Sequence, residues 1–211
     1  MHRGTIALSP ILTDFRDTAG TATGHYFWQD LITATWIFNR NPANHLDIGS
    51  RTDGFLAHLA TFRDVISLDI RPMETRIPNL TFIPGDAQKS LANYKEKFDS
   101  VSSLHSIEHF GLARYGDSLD IEGHIKGLKN IASCVSPGGS LFVSFPIGKE
   151  SVEFNAQRII DPSWPSALLP DFLLEEFVLI PWVGAPEFGL LPAMVDTSIW
   201  GQAGLYLFRK L

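Results

Sequence analysis

The run SLHSIEHFG, residues 103–111, sets two imidazoles four positions apart, His105 and His109, with the carboxylate of Glu108 beside them. On a helical turn the two histidines would share a face. Three uses suit that set. Histidine takes and gives a proton near neutral pH, so either ring could orient or deprotonate an acceptor in a cleft. The pattern H-x-x-E-H also matches a zinc-peptidase signature, in which two imidazoles bind metal and the glutamate is a base. That signature needs a long helix and a third ligand, whereas here Gly111 soon interrupts the run. The third use is a purely structural pair.

Three further groups stand where a ligand could meet them. In HLDIGSRTDGFL, residues 45–56, an apolar strand runs through Gly49 into a helix that starts near Thr52. A glycine lets a ligand approach the backbone, and a helix N-terminus favours anionic groups. A tight structural turn explains the same residues. Asp69, in SLDIRP, follows Gly49 by 20 positions, about the spacing at which an acid accepts hydrogen bonds from a ribose. A solvated carboxylate at a strand end is the alternative. Asp86, in PGDAQ, could accept from an exocyclic amine or cap a helix beginning near Ala87.

Each of these groups falls just after a predicted strand. The strands are HLDIG, DVISLDI, NLTFIPGD, FDSVSSLHSI and SLFVSFP. Between them the patterns predict helices over TDGFLAHLATF, with Thr52 or Asp53 as N-cap, over SLANYKEK, and over DIEGHIKGLKNIASCV, which SPGG would end. Residues 25–39 place Phe27, Leu31, Trp36 and Phe38 near helical spacing, which predicts an amphipathic helix whose aromatics face a core or an interface. Strands alternating with helices imply a parallel, doubly wound sheet, with ligands outside the carboxyl ends of its strands. EEFVLIPWVG and AGLYLFRKL have no helix between them and should pair antiparallel at the sheet edge, and SWPSALLPDF before them has room for one short helix.

Composition narrows the function classes. The 211 residues suffice for one sizeable core, and 45% apolar with 19% charged is ordinary for a globular chain. A net charge of −6 without a basic run makes a poor general binder of nucleic acid. No stretch approaches the ~20 apolar residues that cross a bilayer, and the N-terminal apolar run is too short for a secretory signal. The expectation is a cytoplasmic protein with no membrane partner. Cys134, the single cysteine, lies in the apolar run IASCV and reads as a buried structural thiol.

The order of these elements resembles the class I S-adenosylmethionine-dependent methyltransferases: an acidic-x-Gly turn after strand one, an acid ending strand two, Gly-Asp after strand three, SVSSLHSIEHFG at strand four, PGG before strand five, and an antiparallel pair at the end. Over residues 42–165 the chain is similar to a methyltransferase-like family catalogued as a domain of unknown function. The resemblance implies a Rossmann-like, doubly wound α/β fold with a seven-stranded, mostly parallel sheet and an antiparallel C-terminal strand. It implies one domain over 1–211, with a helical extension over 1–40, a cofactor core over 42–165 and antiparallel strands over 166–211.

It further implies S-adenosylmethionine as cofactor. Asp47, Gly49, Ser50 and Arg51 would lie at its methionine part, Asp69 and Ile70 at the ribose, and Asp86 and Ala87 at the adenine. Ser103 and His105 would face the methyl group, with His105 as base and His109 second. Arg114, Tyr115 and Asp117 of RYGD, and Lys149 in PIGKE, would border the acceptor. Asn155 and Arg158 would face the cleft or pin the loop after strand five. One departure stands out. Where the family loop reads acidic-x-Gly-x-Gly-x-Gly, this chain has Arg51 and Asp53 at the second and third glycine positions. Arg51 would either pair with the methionine carboxylate or crowd it. The function implied is methyl transfer to a small molecule or saccharide, with a catalytically inactive binding or assembly module and a zinc hydrolase as alternatives. Aromatics around Tyr115, Trp164 and Trp182 suit a sugar or another small polar ligand, and equally an interface between copies of the chain.

Overall fold

Apolar runs bounded by turns become strands: β1 (Leu46–Ile48), β2 (Val65–Asp69), β3 (Leu80–Pro84), β4 (Phe98–Leu104) and β5 (Val135–Ile147). They are followed by a hairpin, β6 (Ser151–Glu153) and β7 (Gln157–Ile159), and by β8 (Phe172–Pro181), β9 (Glu187–Phe188) and β10 (Gln202–Lys210). The helices are α1 (His25–Arg40), α2 (Ala57–Ala60), α3 (Gly123–Ser133) and α4 (Trp164–Leu168). These assignments come from a computed structural model that describes residues 4, 5, 7–89 and 91–211. The expectations for residues 1–3, 6 and 90 lie outside the described residues.

The main sheet has the order β3-β2-β1-β4-β5-β10-β8-β9. Strands β1 to β5 pair in parallel, and β10 runs antiparallel to both β5 and β8. The seven expected strands are present, and the two-residue β9 adds a short ladder at the edge. The C-terminal pair is antiparallel as expected, with β10 inserted inside the sheet rather than left at its rim.

Side chains alternate between the two faces, as a pleated strand requires. Leu141, Val143 and Phe145 of β5 join Tyr206 and Phe208 of β10 and Leu128 and Ile131 of α3 on one face. Phe142 joins Leu205, Leu207, Ala34 and Ile37 of α1, and Leu59 of α2 on the other. Helices therefore cover both faces, and the carboxyl ends of the parallel strands open at one edge. Cys134 is buried among the first group, and burial pushes its thiol up to about 11. Among the described residues no helix is long and apolar enough to cross a membrane.

Four local expectations change. The aromatic stripe of α1 mostly faces outward: Phe27, Leu31 and Phe38 are exposed, Phe38 at 63%. The inward face carries His25, Gln29, Asp30 and Thr33 as well as Ala34 and Ile37. The helical period was legible, but which face turns inward is set by what the sheet edge offers. Neither Thr52 nor Asp53 caps a helix with its side chain; Thr52–Leu56 winds as a π-helix into α2. Of the predicted helix SLANYKEK, the described residues 91–97 form only a 3-10 turn at Ala92–Tyr94. SPGG does not stop the chain but begins β5, where the pairing with β4 shifts register between Phe98 and Ser100. The β6–β7 hairpin has no counterpart in the expected elements.

Candidate active site

Beneath the strand ends lies a buried polar chain. His45 Nδ1 is 2.7 Å from Ser100 Oγ and its Nε2 is 3.0 Å from Ser102 Oγ. Ser102 donates in turn to Asp47 Oδ1 at 2.6 Å. Because the Ser102 proton goes to the carboxylate, His45 Nε2 must be the donor to Ser102, and Nδ1 accepts from Ser100. Asp47 also accepts from Ser50 Oγ at 2.6 Å and from Ser50 N at 3.2 Å, and burial pushes it up to about 6. Ser50 Oγ accepts from Leu104 N, and Ser103 donates to the carbonyl of Ile48 at 2.8 Å. Asp47, Ser50 and Ser103, expected to face a cofactor, are thus buried and tie β1 to β4 from below. Their hydrogen-bonding capacity is spent on the turn that they hold.

That turn carries Gly49 at φ +76°, and an added Cβ would lie 2.1 Å from Ser106 Oγ. Only glycine suits both the dihedral and the contact. Above it opens a cavity of about 430 Å³ along the ends of β1 to β4, within the range of small-molecule sites. Gly49, Arg51, Asp69, Ile70, Asp86, Ala87, His105, His109, Arg114, Tyr115 and Asp117 all line it.

Two of the arginines at its mouth are paired with carboxylates. Arg51 Nε and Nη2 contact Asp53 Oδ1 and Oδ2 at 3.0 and 2.7 Å, and the guanidinium lies 4.6 Å over the ring of Tyr26. The two residues that replace the expected glycines therefore neutralise each other, and Arg51 leans on α1. Asp69 meets Arg71: its Oδ1 accepts from Arg71 N and Nε at 2.8 and 3.0 Å, and Oδ2 from Nη2 at 2.5 Å. Arg71 also reaches the Gly49 carbonyl at 3.3 Å and stacks on Tyr115 at 4.8 Å. Asp86 Oδ1 accepts from Gln88 N at 2.9 Å, a local turn. Asp117 accepts from the backbone N–H groups of Gly111, Ala113 and Tyr115, so it organises the loop that presents Arg114 and Tyr115.

His105 sits immediately after β4 at φ +47°, a left-handed conformation that is uncommon outside glycine. Its N–H donates to the Ser144 carbonyl of β5 at 2.9 Å, and Ser144 Oγ is held by Gln29 Oε1 of α1 at 2.5 Å. The imidazole is 5% exposed; its Nδ1 is 2.9 Å from Glu108 Oε1. His105 Nε2 and Glu108 Oε2 are both buried without a hydrogen-bond partner. Both residues line the cavity, and buried polar atoms are nearly always satisfied, so the pair is open to a ligand or an ordered water. His25 of α1 stacks on His105 at 5.3 Å, and burial lowers it to about 4, so it stays neutral.

His109 is engaged differently. Its Nδ1 lies 2.7 Å from the Ala156 carbonyl, and burial lowers its pKa. Residues 107–109 form one 3-10 turn, not the long helix a zinc-peptidase signature needs, and among the described residues no group of three or more His, Cys, Asp or Glu is arranged to hold a metal ion. Arg158 is buried and donates to the carbonyls of Glu108 and Phe110, pinning this turn. It does not line the cavity.

A second cavity of about 480 Å³ adjoins the first and shares Tyr26, His105 and Gln157 with it. Lys149 lines this cavity, not the one beside Arg114, because β5 ends on the far side of His105. Trp182 lines it too, whereas Trp164 stacks on His124 in a third cavity. Cavity-lining residues absent from the sequence reading include His25, Tyr26, Arg71 and Gln157. Arg71 alone had a local signal, two positions after Asp69; the others are brought in by tertiary packing.

A family model described as Caenorhabditis protein of unknown function, DUF268, matches residues 62–172. No curated protein matches the chain. Among solved structures, the N-methyltransferase NodS from Bradyrhizobium japonicum WM9, in complex with S-adenosyl-L-homocysteine, aligns with a TM-score of 0.57 and 15% identity over 89% of this chain and 88% of its own. The 1,6-didemethyltoxoflavin-N1-methyltransferase from Burkholderia thailandensis, with its substrate and S-adenosylhomocysteine bound, aligns at 0.56 and 14% over 86% and 78%. The cyclase SpnF aligns at 0.59 and 14% over 86% and 81%. The fold is therefore that of the class I S-adenosylmethionine-dependent methyltransferases, and SpnF is described as a cyclase on the same frame.

Proposed function

Since the chain belongs to the DUF268 family, whose description assigns no activity, we propose a function from the site itself: methyl transfer from S-adenosylmethionine to a hydroxyl of a small-molecule or saccharide acceptor. The observation that carries it is His105, whose Nδ1 is engaged by Glu108 and whose Nε2 has no protein partner, lining a cavity that Asp69 and Asp86 also line. The lining suits the cofactor once the Arg71 side chain leaves Asp69. Gly49 and Arg51 would lie at its methionine part, Asp69 and Ile70 would take the ribose, and Asp86 with Ala87 would border the adenine.

When bound, S-adenosylmethionine supplies a methyl group on a sulfonium centre, so that an acceptor hydroxyl gains the methyl, the sulfonium becomes a neutral thioether, and one proton must leave. Handling that proton falls to this chain. His105 Nε2 accepts it, and Glu108, held at 2.9 Å from Nδ1, stabilises the imidazolium that results. His25 cannot compete for the proton, since burial keeps it neutral. Alignment of the acceptor with the methyl group would supply the rest of the rate. The methyltransferase neighbours support the reading at the level of fold. A cytoplasmic location belongs to the same proposal, its support being a single cysteine that is free and buried.

The test is formation of S-adenosylhomocysteine from S-adenosylmethionine when the protein is supplied with a mixture of free sugars and small polar alcohols. His105→Gln should lower kcat by ~10²–10⁴, the usual share of a positioned base, with cofactor affinity unchanged. A wild-type protein that binds S-adenosylhomocysteine but never turns over would favour the inactive binding module instead.

A further inference from the structure

The second cavity is distinct in character from the first. It lies over the carboxyl ends of β5 and β8 and the start of β10, and touches the first cavity through His105, Tyr26 and Gln157. Two tryptophans stand at it, Trp182 at 56% and Trp200 at 77% exposure, with ring centroids 6.2 Å apart. Trp182 is fixed edge-on against His25 at 5.4 Å. Exposed indoles of this kind present a flat apolar face beside polar edges. The remaining lining mixes apolar Pro146, Ile147, Ile159 and Ile199 with hydroxyls from Ser151, Thr197 and Ser198 and the opposite charges of Lys149 and Glu153.

We propose that this cavity is the acceptor chamber and that its acceptor is a neutral saccharide, with one pyranose ring against the face of Trp200, the Trp182 ring tilted 53° to it alongside, and a hydroxyl directed to His105. The inference rests on the methyl-transfer reading above. A pyranose has apolar C–H faces and a rim of hydroxyls, which matches aromatic faces flanked by hydroxyl and charged partners. An anionic ligand would need an excess of cations, and the chamber offers one lysine against one glutamate. A purely apolar ligand would leave the polar lining unsatisfied. The shared wall sets the site of reaction: the orphaned Nε2 belongs to a residue that both cavities touch.

The experiment is saturation-transfer NMR with N-acetylglucosamine, methyl β-glucoside and methyl β-galactoside, run beside calorimetry with S-adenosylhomocysteine. At least one sugar should bind saturably below roughly 20 mM, and Trp200→Ala, a side chain that touches little, should weaken it by about tenfold, the loss typical of an aromatic anchor. S-adenosylhomocysteine affinity should be unchanged in that variant. Three results overturn the proposal: no sugar binds while S-adenosylhomocysteine does; a sugar binds equally well to Trp200→Ala and Trp182→Phe; or the wild type sediments as a dimer that Trp200→Ala dissociates, which would assign the tryptophans to an interface. Failure of S-adenosylhomocysteine to bind, with sugar binding intact, would instead strike the methyl-transfer reading and leave the saccharide chamber standing.

Discussion

His105 Nδ1 lies 2.9 Å from Glu108 Oε1, and each partner's outer polar atom, Nε2 and Oε2, is buried with nothing to bond. Such a pair is expensive to hold in a fold, and its two halves depend on each other. Removing the imidazole in His105→Ala leaves a buried Glu108 oxygen without its hydrogen-bond donor, which costs on the order of 1–3 kcal/mol. The double variant His105→Ala/Glu108→Gln should recover most of that loss. Urea denaturation of both variants checks the coupling; equal stabilities would show that the two groups do not act as a pair.

Asp30 provides a pH signature. It lies on the inward face of α1, and burial pushes its carboxyl up to about 7. A carboxyl whose folded pKa is raised stabilises the fold fully below its unfolded value near 4, and that contribution is lost as pH rises through 7. Asp30→Asn should therefore match the wild type at pH 4 and exceed it at pH 8, by roughly 2–4 kcal/mol at about 1.4 kcal/mol per pH unit. Denaturant midpoints at the two pH values decide it. A variant less stable than wild type at pH 8 would contradict the assignment.

At the first turn, Gly49→Ala combines left-handed strain of ~1–2 kcal/mol with the contact to Ser106. Adding Ser106→Gly should relieve the contact but not the strain, so recovery should be partial. Full recovery would mean that the dihedral carries no cost, and no recovery that Ser106 is not the obstacle. Thermal unfolding of the three proteins distinguishes these outcomes.

The carboxylate of Asp69 has about four lone-pair positions, and Arg71 donates three hydrogen bonds to it. Two ribose hydroxyls cannot both be accepted until Arg71 withdraws. The Arg71 side chain is 43% exposed, and an exposed ion pair is worth about 0–1 kcal/mol. Arg71→Ala should thus tighten S-adenosylhomocysteine binding by up to about fivefold. Weaker binding would assign Arg71 to the ligand rather than to Asp69.

The sheet was legible because its strands are apolar runs with turn residues at both ends, and Asp69 and Asp86 followed from strand ends alone. Gly49 was legible for the same reason, although its partner Ser106 was not. The sequence posed Arg51 as a clamp or an obstruction. Folded, it turns to Asp53 and Tyr26, a choice made by α1, whose inward face no local pattern reveals. Lys149 and Arg114 read as neighbours, yet the ends of β5 and β4 lie in different cavities on either side of His105. His25 stacks on a ring 80 positions away, and only the closed fold creates that contact. Glu108, a base only in the zinc-site alternative, lies 2.9 Å from His105 Nδ1.

The central claim is that the cavity over β1 to β4 binds S-adenosylmethionine through Asp69. Calorimetric titration of S-adenosylhomocysteine into wild type and Asp69→Asn tests it without any knowledge of the acceptor. We predict micromolar-range binding to the wild type and a loss of about tenfold or more in Asp69→Asn, since a charged hydrogen bond is worth ~1.5–3 kcal/mol. No heat of binding up to roughly 1 mM, or equal affinities for the two proteins, would contradict it.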